Sequence, residues 1–330
     1  MHMKKLLLLT VFAIFSAFAF GQTVIDLHGN DSPHALYDTI GTAEGPIEVI
    51  LNPDVEYEIY SRRVLHTTIV RTLPDEDPAL IKISGNFWLG EVEIDSIIFD
   101  NVHIQGEGYG TYVFNNGNTH KVNKVEFNKC RLQALGGLWR AKADTSTVFD
   151  YVIDSCLIDT LDEYTLMRPQ GSNRVDNISI TNSTVYHAKG LLRVSEHLQS
   201  VTLKNLTIYE GDDADHWLNA MLIFYAGFDE MEISNVLIGP GINGTIGGLE
   251  VAAEDVGNLT VTNSYYTTDY AENESFPLPA EFQVYSGAST DLWADVTTGD
   301  FTIVDNDFDA KFTTGDPRWI PAMLNELTVS

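Results

Sequence analysis

Basic side chains are scarce: 19 Lys and Arg stand against 47 Asp and Glu, leaving a formal charge of −28. A surface of that sign repels nucleic acid and anionic membrane, which disfavours both as partners, and an acidic glycan would need a local basic groove to receive it. Cysteine is scarcer still. Cys130 and Cys156 permit at most one disulfide, too few for a stapled scaffold, so a hydrophobic core must hold the fold. Long amphipathic helical patterns are missing. So are a nucleophile elbow, a phosphate loop, a zinc-ligand spacing and a dinucleotide fingerprint in the right context, and no organic cofactor is expected.

Long apolar runs are missing too, except for Leu6 to Phe20, which follows Lys4-Lys5 and ends in Ala19-Phe20-Gly21. That is the grammar of a signal peptide over residues 1–21 cleaved near Gly21. The run is short for a transmembrane anchor and no lipoprotein cysteine follows it. The expected product is secreted, periplasmic or on the cell surface, monomeric, and without membrane insertion.

What is present is a repeat. A six-residue strand pattern recurs, with copies at Phe99–Ile104, Phe127–Leu132, Ile153–Ile158, Ile180–Val185, Leu203–Ile208, Ile233–Ile238 and Val261–Tyr266. Their starts lie roughly 23 to 30 residues apart, the span of one solenoid turn. The third position reads Asn101, Lys129, Ser155, Asn182, Asn205, Asn235 and Asn263, so asparagine is expected to stack on asparagine from coil to coil. Shorter strands precede these copies, among them Leu80-Ile81-Lys82, Leu138-Trp139-Arg140, Leu166-Met167-Arg168 and Leu191-Leu192-Arg193. The fold class predicted is all-β: a single-stranded right-handed parallel β-helix of about 8 to 10 coils. Residues 22–330 form one domain. Its N-terminal cap and first coil occupy 22–60, with Ser32-Pro33 opening a short helix over Ala35 to Thr42; coils occupy 61–290, and a closing cap 291–330. Cys130 and Cys156 fall at equivalent places in successive coils and read as inward-facing core thiols, close enough to consider a bridge.

The arrangement resembles the pectate-lyase-like β-helix superfamily, through Ser32-Pro33-His34-Ala35-Leu36-Tyr37-Asp38 and Ile47-Glu48-Val49-Ile50-Leu51. The tail, with Leu292-Trp293-Ala294-Asp295 and Gly315-Asp316-Pro317-Arg318-Trp319, resembles secreted Bacteroidota β-helix proteins of polysaccharide-utilisation systems. Between them, Arg168-Pro169-Gln170-Gly171-Ser172-Asn173 and Gly190-Leu191-Leu192-Arg193 resemble the alginate lyase and chondroitinase B group. That group implies a lysine base on one coil, an arginine on the next, and calcium held nearby by Asn and Glu. Arg193 matches the arginine, whereas Arg168 stands where the lysine is expected; Asp162 and Glu163 are what remains of the acidic pair for calcium. A guanidinium stays protonated at any working pH, so the departure at Arg168 matters for proton abstraction.

In register, Arg140, Arg168 and Arg193 form an outward column with Lys82 further along. Like charges so close need carboxylate neighbours, such as Asp144, Glu163 and Glu196, or an anionic ligand that takes bidentate contacts. β-Elimination on a uronate needs its carboxylate neutralised, the C5 proton removed and the C4 oxygen released. Arg168 and Arg193 suit the first step; His197, Lys189, His187 and Tyr186 are candidates for the proton transfers. Glycan hydrolysis would use two carboxylates from Asp150, Asp154, Asp176 and Glu163. The insertion Glu210 to Trp217 joins oxygen ligands to an aromatic, which suits calcium binding or stacking of Trp217 on a sugar face, with a solvated acidic loop as the plain alternative. The function expected is recognition of an acidic, uronate-containing polysaccharide, by a lyase if the chain is an enzyme; the alternative is a non-catalytic glycan-binding or adhesion protein.

Overall fold

The computed structural model describes residues 21–143, 145–210, 220–242, 247–251 and 256–321. The chain winds into an all-β parallel solenoid of about eight turns, the arrangement expected of a right-handed β-helix. His120–Asn128, for example, pairs in parallel with Val92–Asp100 on one side and Thr147–Asp154 on the other. Alternation of period two sends every second side chain inward, and like residues stack. The Phe99 and Phe127 rings lie face to face at 5.6 Å, and Phe87, Phe114 and Trp139 continue an aromatic column at 5.6 and 4.8 Å.

The recurring hexapeptide bends at its third residue: the strand runs on through the bend at Ile180–Val185, Leu203–Ile208 and Ile233–Ile238, and in the other copies the bend separates two strands. Its third residue is left-handed in every copy: φ is 52° at Asn101 and Lys129, 56° at Ser155, and 50°, 55°, 57° and 46° at Asn182, Asn205, Asn235 and Asn263. Asparagine tolerates this region better than other residues with a Cβ, because its amide bonds locally. Here the amides form the expected ladder. Asn263 donates to Asn235 (2.8 Å), Asn235 to Asn205 (2.8 Å), Asn205 to Asn182 (2.7 Å), and Asn182 to the Asp154 carboxylate (2.7 Å). Immediately after the corner, Cys130 and Cys156 are buried free thiols. They donate to the Phe99 and Phe127 carbonyls, and burial raises the Cys130 thiol pKa well above its usual value.

The helix Ala35–Thr42 covers the first coils with Ala35, Leu36 and Ile40. It starts two residues later than a helix led by Pro33 would. Pro33 lies outside, His34 is the N-cap, and the Ser32 carbonyl accepts the Ala35 N–H at 3.0 Å. At the other end, Tyr270, Leu278 and Phe282 close the core. The segment expected to close that end instead runs back along the flank, where Leu292, Trp293, Val296 and Phe301 pack on Tyr186 and Leu237. It is pinned to successive coils. Arg318 donates to the Ser155 carbonyl (2.9 Å), Thr184 to Asp316 (2.7 Å), the Asp316 N–H to Thr207 (3.1 Å), and the Gly315 N–H to the Asn235 carbonyl (2.9 Å). Gly315 has φ +90°, and a Cβ there would meet Leu237 at 2.9 Å, so this crossing needs glycine.

Asn205→Ala should cost about 2 kcal/mol in urea unfolding, combining two lost amide bonds with a Cβ in left-handed backbone. Asn205→Gly should cost about half as much, because only the amide bonds are lost. Equal midpoints for the two variants would show that backbone strain plays no part at this corner.

Candidate functional site

Arg140 lies directly opposite Arg168, and Met167 opposite Leu192, so Arg193 continues the column on the next strand. Neighbouring guanidinium-bearing Cα atoms are therefore about 4.8 Å apart. Upstream the same column reads Asn115, Trp88 and Arg63; downstream it passes through the buried Ile223 to Glu250. Tyrosines from a neighbouring strand and from the connecting segments support the charges. The Arg168 guanidinium sits 3.6 Å above the Tyr164 ring, and Arg140 lies 4.7 Å from Tyr164 and 5.4 Å from Tyr112. Arg193 lies 5.3 Å from the Tyr225 ring and donates to its hydroxyl at 2.9 Å. Ring faces attract cations, more strongly where water is reduced.

Glu163 approaches Arg140 at 3.9 Å and accepts the Gly110 N–H at 3.0 Å. This tie needs a close turn. Gly110 has φ +87°, and a Cβ on the neighbouring Gly136 would lie 3.1 Å from the Gly110 nitrogen. Burial pushes the Arg168 pKa down to about 10; Tyr164 opposes that fall, while the Arg193 and Arg140 charges add to it. Burial also lowers the Lys142 ammonium, helped by Arg140 and Arg168 and opposed by Glu163. Arg140 Nε and Asn115 Oδ1, register neighbours, are buried with no hydrogen-bond partner among the described residues. Buried polar atoms without partners are uncommon, and here a donor and an acceptor lie on adjacent strands of one face.

The other candidates are distributed around this column. Arg168, Gln170, Gly171, Arg193 and Ser195 line a shallow depression of about 180 Å³. The His197 ring nitrogens face the Ala226 carbonyl (2.8 Å) and Asp229 (2.9 Å), so this imidazole braces the next turn and offers no lone pair to a substrate. Lys189 lies in the turn after Ala188, where its N–H donates to the Leu161 carbonyl at 3.2 Å. Lys82 is not in the arginine column. Its register partners are Glu58 and Gln105, and its ammonium pairs with Glu56 at 2.5 Å. Trp217 and Asp144 lie outside the described residues. Asp162 and Glu163 do not fit a calcium site: among the described residues no group of three acidic, His or Cys side chains gathers there, and Glu163 is engaged with Arg140 and Gly110. Tyr112, Tyr164, Tyr225, Lys142, Trp88 and Asn115 were not legible as site residues. Tyr164 and Tyr225 stand outside the strands and Tyr112 in a strand whose register is broken, all outside the hexapeptide repeat, and the signal available was Tyr164 four residues before Arg168.

On the adjoining face a polar ladder crosses five coils. His103 meets Gln133 (3.3 Å), Gln133 donates to Asp159 (3.0 Å), and His187 bridges Asp159 (3.4 Å) and Glu210 (3.0 Å). Hydrogen bonding to Asp159 raises the His187 pKa against burial, with both carboxylate charges adding. Burial alone would raise Asp159, but hydrogen bonds from His187, Thr160 and Tyr186 bring it below its usual value. Burial raises Glu210, with His187 opposing.

Compared with models of protein families, with curated proteins and with solved structures, the chain matches none. Among the described residues no helix is long and apolar enough to cross a membrane. The class that fold and site define is a parallel β-solenoid carrying an arginine–tyrosine face on an acidic body.

The His187 bridge has a defined pH window. A raised histidine pKa stabilises the fold below the unfolded value, and that gain is lost as pH rises through the raised value. The lowered Asp159 stabilises above its unfolded value and loses this as pH falls through the lowered one. His187→Asn, which tolerates the φ of 54° at this position, should lower stability within that window by about 0.5 kcal/mol after solvent screening. The gap between variant and wild type should narrow in alkaline urea titrations. A gap independent of pH would mean that the imidazolium charge contributes nothing.

Proposed function

We propose that this chain is a secreted member of the pectate-lyase-like superfamily that recognises a uronate-containing polysaccharide along the Arg140–Arg168–Arg193 face. The observation that carries the reading is three guanidiniums in register on successive strands, oriented by tyrosine rings. A polyuronate presents carboxylates at regular intervals, and guanidinium matches carboxylate in bidentate geometry. Crowding and burial of Arg168 supply the electrostatic drive, because an anion in the groove relieves both.

Elimination is the extension of this reading. Arg168 or Arg193 would neutralise the uronate carboxylate, and Lys142, its ammonium pKa lowered beside them, is better suited than a guanidinium to accept the C5 proton. Tyr164, against Arg168, would stand near the leaving C4 oxygen. Binding without cleavage is the second reading, favoured by the engagement of both His197 nitrogens.

Absorbance at the unsaturated-uronate band, with alginate, polygalacturonate and chondroitin, separates the two. A rise abolished by both Arg193→Ala and Lys142→Ala is expected of a lyase. If absorbance stays flat, affinity electrophoresis in the same polymers should show retardation that weakens with salt, and Arg193→Ala should weaken affinity roughly 10- to 100-fold, the effect of losing a charged contact of about 1.5–3 kcal/mol. Retardation by none of the polymers, or none that depends on Arg193, would overturn the proposal.

A further inference from the structure

The side of the solenoid upstream of the arginines is not a regular sheet. Three successive strands break register at the same height: between Ile59 and Ser61, between Lys82 and Phe87, and between Gln105 and Tyr112. Extra residues in stacked positions push the chain outward and open a cleft of about 310 Å³ lined by Glu58, Tyr60, Lys82, Ser84, Gln105 and Glu107. The backbone must pass close to itself to do this, since a Cβ on Gly85 would fall 1.2 Å from the Tyr60 carbonyl oxygen. The volume lies at the lower end of the range for ligand pockets, about 300–1,000 Å³.

The cleft is furnished in a particular way. Tyr60 is 54% exposed although it is large and partly apolar. It is nevertheless held, its hydroxyl donating to Glu58 Oε2 at 2.6 Å and its ring 5.8 Å from His34 of the N-terminal cap. A pre-set aromatic face loses little freedom when it takes a partner. Around it stand carboxylates of Glu58 and Glu107, the Gln105 amide and the Ser84 hydroxyl, while the Lys82 ammonium is paired with Glu56. Carboxylates accept strongly from hydroxyl groups and repel other carboxylates. The partner that fits is an uncharged ring with an apolar face and several hydroxyls.

We propose that this cleft is a second carbohydrate site, binding an uncharged pyranose by stacking on Tyr60 and by hydroxyl contacts to Glu58 and Glu107. The Lys82 strand lies three coils before the Arg168 strand, on the order of 14 Å at ~4.8 Å per coil. The two sites are thus separate, with opposite charge preference, and this one stands whether or not the arginine face binds uronate.

The test is saturation-transfer NMR and calorimetry on the full protein with cellotetraose, mannotetraose and galactotetraose, and with tetragalacturonate as the charged counterpart. At least one neutral tetrasaccharide should bind, and Tyr60→Ala and Glu58→Gln should each weaken it by about tenfold or more. Arg193→Ala should leave that binding unchanged and act only on tetragalacturonate, so failure at either site is read separately. Tyr60 and Glu58 face solvent, and each variant is accepted only with a wild-type urea midpoint; Lys82→Ala offers a third probe of the same wall. Absence of binding by all three neutral probes, or binding indifferent to Tyr60 and Glu58, overturns the proposal.

Discussion

Each coil must turn from one face of the solenoid to the next while keeping its amides paired with the coils on either side. The left-handed residue at the corner meets that requirement, reversing local curvature without removing a donor from the ladder. Once the corners superimpose, the inward positions superimpose as well, and aromatic rings and aliphatic chains stack without separate specification. The outward positions inherit the same alignment. The arginine column is therefore a product of backbone register: residues 28 and 25 apart in sequence are brought within a strand spacing of one another.

Charge is arranged against that uniform frame. An overall excess of acid keeps the body soluble and repels most anions, so a cationic strip is distinctive only because its surroundings are not cationic. The tyrosines hold the guanidiniums without neutralising them, as carboxylates would. Glu163 approaches Arg140 from the same face, and it is itself anchored by the Gly110 amide. Upstream the same architecture carries carboxylates and an exposed ring instead. One continuous surface thus presents two chemistries, separated by a few coils.

The repeat was readable because a solenoid imposes its period on the chain, and the asparagines at its third position announced the ladder. The bend at their position was not readable, since an apolar alternation looks the same whether or not a corner interrupts it. Arg140, Arg168 and Arg193 could be aligned by counting from the repeat. Lys82 could not, because the register breaks between Lys82 and Tyr112 shift those coils relative to later ones. Tyr112 and Tyr164 escaped notice for a related reason: one follows a register break and the other stands between strands, so neither keeps the period of the repeat, and only folding brings their rings beside the arginines.

The returning segment that ends near Trp319 has a consequence of its own. In an open array of coils each turn answers only to its neighbours, and such arrays lengthen or shorten by whole turns during evolution. Here Arg318, Asp316, Gly315 and Thr313 clasp Ser155, Thr184, Asn235 and Asn263, tying a fixed number of turns into one measured span. Inserting or deleting a turn inside that span would leave the clasp out of step, whereas the turns preceding Ser155 remain unmeasured. An added or lost turn would therefore disturb the clasp least in the N-terminal half, and the C-terminal half behaves as a gauge of constant length.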